Sequence, residues 1–355
     1  MSLLNTVPYI RPKPPKKIKP LGSTSPWVWV IEPYFGCNLK CAHCCAGLIE
    51  KTSHVEMSKE VWEATWTTIN EVSPTVRVDI CGIVGEPTLN QNLAEWLPFA
   101  RKAAPLAQIQ ITTNGTMLRK GHYTMKQLLD AGANIIYVDQ YGPHEVFEKL
   151  ASESGYPFYQ YYDKPADAPS PWTYWGPEMK LIALQDAPHN WPKSRRNANL
   201  LGNWYGNLDW KRGAKFGMKP LEEPLTRRCN QPFLYVNVAA TGDFLLCCQD
   251  GMHVTAGKFG NVLGGAAAFR EFWFGEEMQT VRARLRNKDR AGTSYACAKC
   301  NITFSRCDFK HWTDEEVGRF WDGSSWREIE SGRELPQNFL DGNGQIPLGV
   351  VVEKS

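Results

Sequence analysis

Short runs in which apolar and polar residues alternate at every second position recur along the first half of the chain, separated by stretches whose apolar residues return every three or four positions. The alternating runs predict strands at WVWVIE (27–32), VRVDICGI (76–83), QIQITTN (108–114), NIIYVD (134–139), FYQYY (158–162) and MKLIALQ (179–185). The longer period predicts helices at Ser58–Val72, Asn92–Ala103, Tyr123–Ala131 and from His144. Strand and helix in regular alternation argue for parallel strands, and six such units predict an α/β protein built as a partial (β/α)6 barrel of the TIM type. In such a barrel the loops after the strands carry the chemistry.

The rhythm stops at Pro188–Pro224, a loop-rich stretch that reads as a domain boundary. Beyond it come the strand FLYVNV, a turn at Ala240-Thr241-Gly242-Asp243, the strand FLLCC and a helix near Ala266–Arg286. The expected organisation is a basic, proline-rich arm at 1–24, a core barrel at 25–215, a small cysteine-rich module at 216–310 and a tail at 311–355 without an assigned role. No internal repeat is visible. The arm includes RPKPPKKIKP (11–20), which should be extended and solvated.

With 355 residues, 43% hydrophobic and 22% charged, the chain can bury an enzyme-sized core, which excludes disorder, collagen and coiled coil. The apolar stretch Phe233–Cys248 is interrupted by Asn237, Thr241, Gly242 and Asp243, well short of the ~20 residues of a membrane helix. The first 20 residues lack the continuous apolar segment of a secretory signal. A net charge of +3, from 40 basic and 37 acidic residues, does not by itself imply a polyanionic partner. Cysteine is more informative. Eleven are present, at 37, 41, 44, 45, 81, 229, 247, 248, 297, 300 and 307, an odd and clustered set that suits metal ligation in a reducing cytoplasm better than a disulfide framework.

Cys37-Asn-Leu-Lys-Cys41-Ala-His-Cys44 directly follows the first strand and so occupies a loop at the carboxyl end of the barrel. Three soft thiolates within eight residues can wrap one metal centre. An iron-sulfur cubane held by three cysteines keeps one iron open for a substrate or cofactor. Structural zinc is the alternative, though it prefers four closed ligands and paired Cys-x2-Cys spacing. Cys45 is expected to be packed, as adjacent cysteines rarely point at one metal, and Cys81, on a predicted inner strand, is expected to be a core thiol.

The Cys-x3-Cys-x2-Cys triplet, with His43 in the usual aromatic position, resembles the hallmark of the radical S-adenosylmethionine (radical SAM) superfamily. Three further segments fall in the order the family shows. Val84-Gly85-Glu86-Pro87 is similar to its Gly-Gly-Glu-Pro segment, with valine in place of the first glycine; Thr112-Thr113-Asn114-Gly115 is similar to its Thr-Asn-Gly; and Val138-Asp139-Gln140-Tyr141-Gly142 sits where relatives carry another cofactor segment. The resemblance implies a [4Fe-4S] cluster on Cys37, Cys41 and Cys44. It implies S-adenosylmethionine contacts from His43, Gly85, Glu86, Pro87, Thr113, Asn114 and Asp139. Glu86 would hold the methionine amino group. It further implies that one electron, from a partner such as flavodoxin or ferredoxin, cleaves S-adenosylmethionine to a 5′-deoxyadenosyl radical that takes hydrogen from an unactivated carbon.

Cys229-x12-Gly242-x4-Cys247 followed by Cys297-x2-Cys300 resembles the SPASM/twitch extension of the same superfamily, which holds auxiliary clusters. The six cysteines from Cys229 onward are too few for two four-thiolate clusters, so the shorter twitch form with one auxiliary [4Fe-4S] cluster on Cys229, Cys247, Cys297 and Cys300 is expected. A zinc ribbon on the same thiolates is the alternative. Strand alternation should place Cys248 on the face opposite Cys247, and Cys307 has no assigned role. The two resemblances cover roughly residues 27–310.

A radical enzyme is thus one functional class, and a non-catalytic iron-sulfur electron carrier the other; the latter leaves the Glu86 and Asn114 segments unexplained. The substrate stays open between a small polar metabolite, a nucleotide or nucleic-acid base, and a peptide. Only 36 residues precede Cys37, so a leader-recognition domain would have to be a separate protein. Residues 193–228 hold nine basic side chains interleaved with Trp204, Tyr205, Trp210 and Phe216, a mixture suited to phosphate and base or to a solvated linker. Together these features favour a small molecule or base over a leader peptide.

Overall fold

The computed structural model describes residues 26, 28–41, 44, 46, 49–160, 176–187, 223–226, 229, 231–293, 297–298, 300, 319–321 and 326–328. The arm, Cys45, Cys307, and residues 193–228 apart from 223–226 lie outside them. The main strands are β1 (Val28–Ile31), β4 (Arg77–Ile80), β5 (Gln108–Thr113), β6 (Ile135–Gln140), β7 (Phe158–Gln160), β8 (Leu181–Asp186), β9 (Tyr235–Val238) and β10 (Phe244–Leu245). They form one open sheet in the order β10-β9-β1-β4-β5-β6-β8-β7, parallel throughout except for the β9/β10 hairpin. A two-stranded ribbon, β2 (Tyr34–Phe35) with β3 (Val55–Glu56), closes the base of the cysteine loop, and β11 (Arg319–Trp321) pairs with β12 (Trp326–Glu328) in the tail. No helix among the described residues is long and apolar enough to cross a membrane.

The expected α/β architecture is present, with one change of order. β6 pairs with β8 over six residues, and the three-residue β7 is left at the edge. The longer, more apolar Leu181–Asp186 run fills the interior slot, where both strand edges must be paired.

Helices α1 (Lys59–Val72), α2 (Leu93–Ala103) and α4 (Met125–Ala131) cover one face of the sheet. Ser58 caps α1 by accepting from the Val61 amide at 3.2 Å, and Thr124 caps α4 in the same way at Gln127. A short α3 (Thr116–Arg119) and α5 (His144–Glu153) follow β5 and β6. On the covered face Ile31, Val78, Ile80, Ile109, Ile111, Ile136, Val138, Ile182 and Leu184 pack against Trp62, Trp66, Ile69, Leu97 and Leu129. The residues between them, facing the other way, include Arg77, Asp79, Gln108, Gln110, Tyr137 and Gln185, all buried yet polar. In β4 and β5 period-two alternation therefore sorts an apolar packing face from a polar inner one, whereas in β6, β7 and β8 the alternate residues Ile135, Tyr137, Tyr159, Leu181 and Ala183 form a second apolar cluster.

The C-terminal module joins this core directly. β9 extends the sheet beyond β1 in register Val28↔Tyr235 to Ile31↔Val238. Trp29 stacks on Phe269 at 5.3 Å and meets Phe244 edge-on at 6.4 Å, while Phe244 stacks on Phe272 at 4.6 Å. The helix expected near Ala266–Arg286 is two. After α6 (Gln231–Leu234) come α7 (Gly265–Phe274) and α8 (Glu276–Arg286), separated by an extended Gly275 where any Cβ would strike the Glu271 carbonyl, and then α9 (Arg290–Thr293). The strand FLLCC is cut to Phe244–Leu245, because the Leu246 amide donates to the Thr255 hydroxyl instead of a neighbouring strand.

Trp29→Ala should cost about 3–5 kcal/mol, as expected for emptying a buried aromatic site. Anaerobic urea unfolding followed by fluorescence and by cluster absorbance should show barrel and module melting together. Separate transitions in the wild type would contradict the shared core.

Candidate active site

At the carboxyl ends of the strands lies a cavity of about 220 Å³ bordered by Cys37, Cys41, Cys44, Gly85, Glu86, Thr113, Asn114 and Asp139. Eight of the residues singled out in the sequence thus meet around one space. Pro87 is buried and begins the 3-10 turn Pro87–Leu89, away from the lining, and His43 lies outside the described residues.

The loops around the cavity are bound to one another by side chains. Glu86, 2% exposed, accepts on Oε1 from the Thr88 amide (3.0 Å), the Thr88 hydroxyl (2.5 Å) and the Thr113 hydroxyl (2.6 Å), and on Oε2 from the Asn114 amide (2.7 Å). Burial raises its carboxyl above the ordinary range, although these hydrogen bonds oppose the rise. Oε2, with a single donor, retains capacity for a further one such as an amine. Asn114 Nδ2 donates to Asn38 Oδ1 (3.0 Å) and to Cys37 Sγ (3.6 Å), while its Oδ1 accepts from the Thr116 amide (2.9 Å). Asn38 in turn donates to the Thr116 hydroxyl (2.6 Å). Gly85 is required by close approach: a Cβ there would collide with the Tyr34 carbonyl.

The thiols suit a cluster by their surroundings. Burial pushes the Cys37 thiol up to about 12, with Glu86 and the other two thiols adding to the rise and the Leu39 amide opposing it. Such a site disfavours free thiolates, whose charge a cationic iron centre would offset, and the Leu39 and Asn114 N–H groups point to the Cys37 sulfur. Burial, with the charge and hydrogen bond of Cys41, likewise raises the Tyr141 hydroxyl, which also borders the cavity. Among the described residues no three Cys, His, Asp or Glu side chains are close enough to hold a single metal ion, an arrangement that a cluster, with one iron for each cysteine, does not need. Cys247 is buried beyond β10, Cys229 and Cys297 pack on the main core, and Cys300, like Cys37 and Cys44, packs on the small cluster of Ala46, Ile49 and Val84.

Two cysteines depart from expectation. Cys81 is no core thiol; it continues the inner-face series Arg77, Asp79, Cys81 and lines the cavity. Cys248 is not fixed opposite Cys247 by strand alternation, because the ladder has ended; both are buried, and Cys248 reaches the cavity.

Several residues at the site were not singled out. Arg77 Nη2 lies 3.2 Å from Asp79 Oδ2, and Asp79 Oδ1 accepts from Thr112 Oγ1 (2.8 Å) and Gln110 Nε2 (3.3 Å), while Gln185 Nε2 donates to Asp139 at 2.8 Å. Polar letters at every second position of otherwise apolar strands were the available signal. Glu32, which follows β1 and has no exposed surface, accepts on Oε1 from the amides of Val84 (3.1 Å) and Gly85 (3.2 Å). Its Oε2 lies 2.7 Å from His253 Nε2, at an approach outside hydrogen-bond geometry, so the pair is held by charge. Burial pulls the His253 imidazole down, but Glu32, then Asp250 and Asp243, outweigh it and the net shift is upward.

Residues 31–164 match the family model of the radical SAM superfamily, and residues 229–301 that of an iron-sulfur cluster-binding domain, SPASM. No curated protein matches the chain in sequence. Among solved structures, BtrN in complex with AdoMet and 2-DOIA is 19% identical, with a TM-score of 0.57 over 79% of this chain and 94% of that one. SuiB of Streptococcus suis bound to the precursor peptide SuiA is 14% identical, with a TM-score of 0.38 over 72% and 66%.

A histidine raised by its folded surroundings contributes stability that is complete below its unfolded value near 6.5 and is lost as pH rises through the higher folded value. Wild-type protein should therefore lose stability above neutral pH relative to His253→Gln, whose difference from wild type should shrink in the same interval. Urea midpoints between pH 6 and 9 check this, and parallel profiles would refute it.

Proposed function

The chain belongs to the radical SAM superfamily and carries a C-terminal SPASM iron-sulfur domain, and from that premise we propose that it takes hydrogen from an unactivated carbon of a small polar molecule held inside the barrel. The cavity floor carries this reading. Arg77, Asp79, Thr112 and Asp139 line the cavity with hydrogen-bonding groups, and Gln110 and Gln185 hold Asp79 and Asp139 in place. Hydroxyl and amino groups can join such a network, whereas an apolar side chain would desolvate it without adding a partner. BtrN, of the same fold, was captured with AdoMet and 2-DOIA. A nucleotide base is the second reading, favoured by the basic and aromatic composition of residues 193–228.

In this proposal Cys37, Cys41 and Cys44 would hold the first [4Fe-4S] cluster. Gly85, Glu86, Thr113, Asn114 and Asp139, together with His43, would bind S-adenosylmethionine, and Pro87 would shape the turn behind Glu86. When bound and reduced, that pair supplies the radical chemistry. Glu86 Oε2 would receive the cofactor's amine, Asn114 keeps the cysteine loop at a fixed distance from β5, and Asp79 with Thr112 would orient a substrate hydroxyl. Cys229, Cys247, Cys297 and Cys300 hold a single auxiliary [4Fe-4S] cluster, and a small electron carrier such as flavodoxin or ferredoxin reduces the protein.

Anaerobically reconstituted protein should carry ~8 iron and ~8 sulfide, and the Cys37/Cys41/Cys44 triple Ala variant roughly half. Stoichiometric zinc in place of the second cluster would exclude the auxiliary assignment. Glu86→Ala should weaken S-adenosylmethionine binding roughly tenfold or more without loss of iron, since a buried charged hydrogen bond is removed. Asp79→Ala should keep uncoupled cleavage of S-adenosylmethionine yet abolish the extra turnover elicited by amino- or polyhydroxylated test compounds. Turnover that instead required a precursor peptide would overturn the substrate assignment.

A further inference from the structure

Glu32 and His253 belong to no motif and border no described cavity, yet they join two modules. Glu32 stands at the end of β1 and holds the amides of both Val84 and Gly85. His253 comes from the loop that begins at Cys247 and Cys248. That loop is wound tightly around Asp250, which has no exposed surface and accepts from the Val254 amide (2.8 Å), the Thr255 amide (2.9 Å) and the Thr255 hydroxyl. The winding puts His253 at φ 54°, left-handed backbone that a non-glycine residue adopts only where its surroundings impose it. Its ring lies against Phe35, centroid to centroid 4.4 Å, and its Nε2 reaches Glu32. A second contact runs parallel. The Val84 side chain, in place of the family's glycine, is buried with Ala46 and Ile49 in a small cluster on which Met252 and Cys300 pack.

We propose that the Glu32–His253 pair is a clasp by which the auxiliary module positions Val84 and Gly85 for S-adenosylmethionine, making His253 a positioning residue that touches no cofactor. This rests on the assignment of the Val84–Glu86 segment to the cofactor. Glu32 would otherwise be a buried charge answered only by two amides, and the imidazole supplies the missing cation from the far module. The strained backbone at His253 and the apolar contact of Val84 keep the two sides in register. Binding of the cofactor and ordering of the 247–255 loop then become linked equilibria, each favouring the other.

The test uses full-length, cluster-loaded protein with iron quantified, and reads amide hydrogen exchange in peptides covering residues 81–87 alongside equilibrium affinity for S-adenosylmethionine. His253→Ala should speed exchange there by about tenfold and weaken affinity roughly fivefold, as for loss of one charge-assisted contact, and His253→Gln should fall between it and wild type. Glu32→Gln, which keeps the acceptor for Val84 and Gly85 and lies far from the auxiliary cysteines in sequence, decides the matter if His253→Ala loses iron. The Glu32→Gln/His253→Ala double variant should be no worse than the weaker single one. Unchanged exchange at 81–87, or additive losses, would overturn the clasp. If Glu86→Ala weakens the cofactor and the clasp variants do not, the clasp alone fails; if exchange rises while Glu86→Ala and His253→Ala both leave affinity intact, the cofactor assignment of this segment fails with it.

Discussion

A carboxylate without any exposed surface stands where the first strand of the sheet ends, and three segments converge on it. Burying Glu32 there is unfavourable unless each oxygen finds a partner. The Val84 and Gly85 amides answer one oxygen and His253 the other. The first strand, the loop after the second barrel strand and the first loop of the auxiliary module are thereby held at one point. The cysteine loop starts five residues after Glu32, so the geometry of the triplet is set from the same anchor.

Around that point the sheet divides its labour by parity. In β4 and β5 the residues on one face pack against helices, and Arg77, Asp79 and Thr112 on the other face line the cavity. A single-residue slip in β4 or β5 would exchange the isoleucines of the core for Arg77, Asp79 and Gln110, a change no helix face could accept. The apolar core thus fixes where the polar floor lies, and the floor requires no loop to support it. Glu86 and Asn114, on the loops after β4 and β5, bind those loops to one another and, through Asn38, to the cysteine loop.

Much of this was legible in the chain. The six alternating runs and the cysteine triplet placed the barrel and its active end, because strand period and ligand spacing are local properties. The order of β7 and β8 was not, since it depends on which strand better tolerates an edge. Nor could alternation describe Cys247 and Cys248, because the Leu246 amide leaves the ladder for Thr255. Gly275, read as part of one helix, separates two. His253 carried no signal: its role comes from a long-range partner in a motif-free position. Arg77 and Asp79 were visible as polar letters within a strand, and their meaning became clear only once the opposite face was known to be full.

The pairing of β1 with both β4 and β9 bears on how the protein is made. β4 is available soon after β1 leaves the ribosome, whereas β9 lies some two hundred residues later, so the edge of β1 that will receive it stays open for most of synthesis. Trp29, whose aromatic partners come from the same distant region, stays without them for as long. During that interval the nascent barrel displays an unpaired strand and an indole to any chain nearby, a hazard for aggregation and an opening for a chaperone. The cysteine loop, anchored beside Glu32, likewise waits for the C-terminal half to supply His253 before its surroundings are complete.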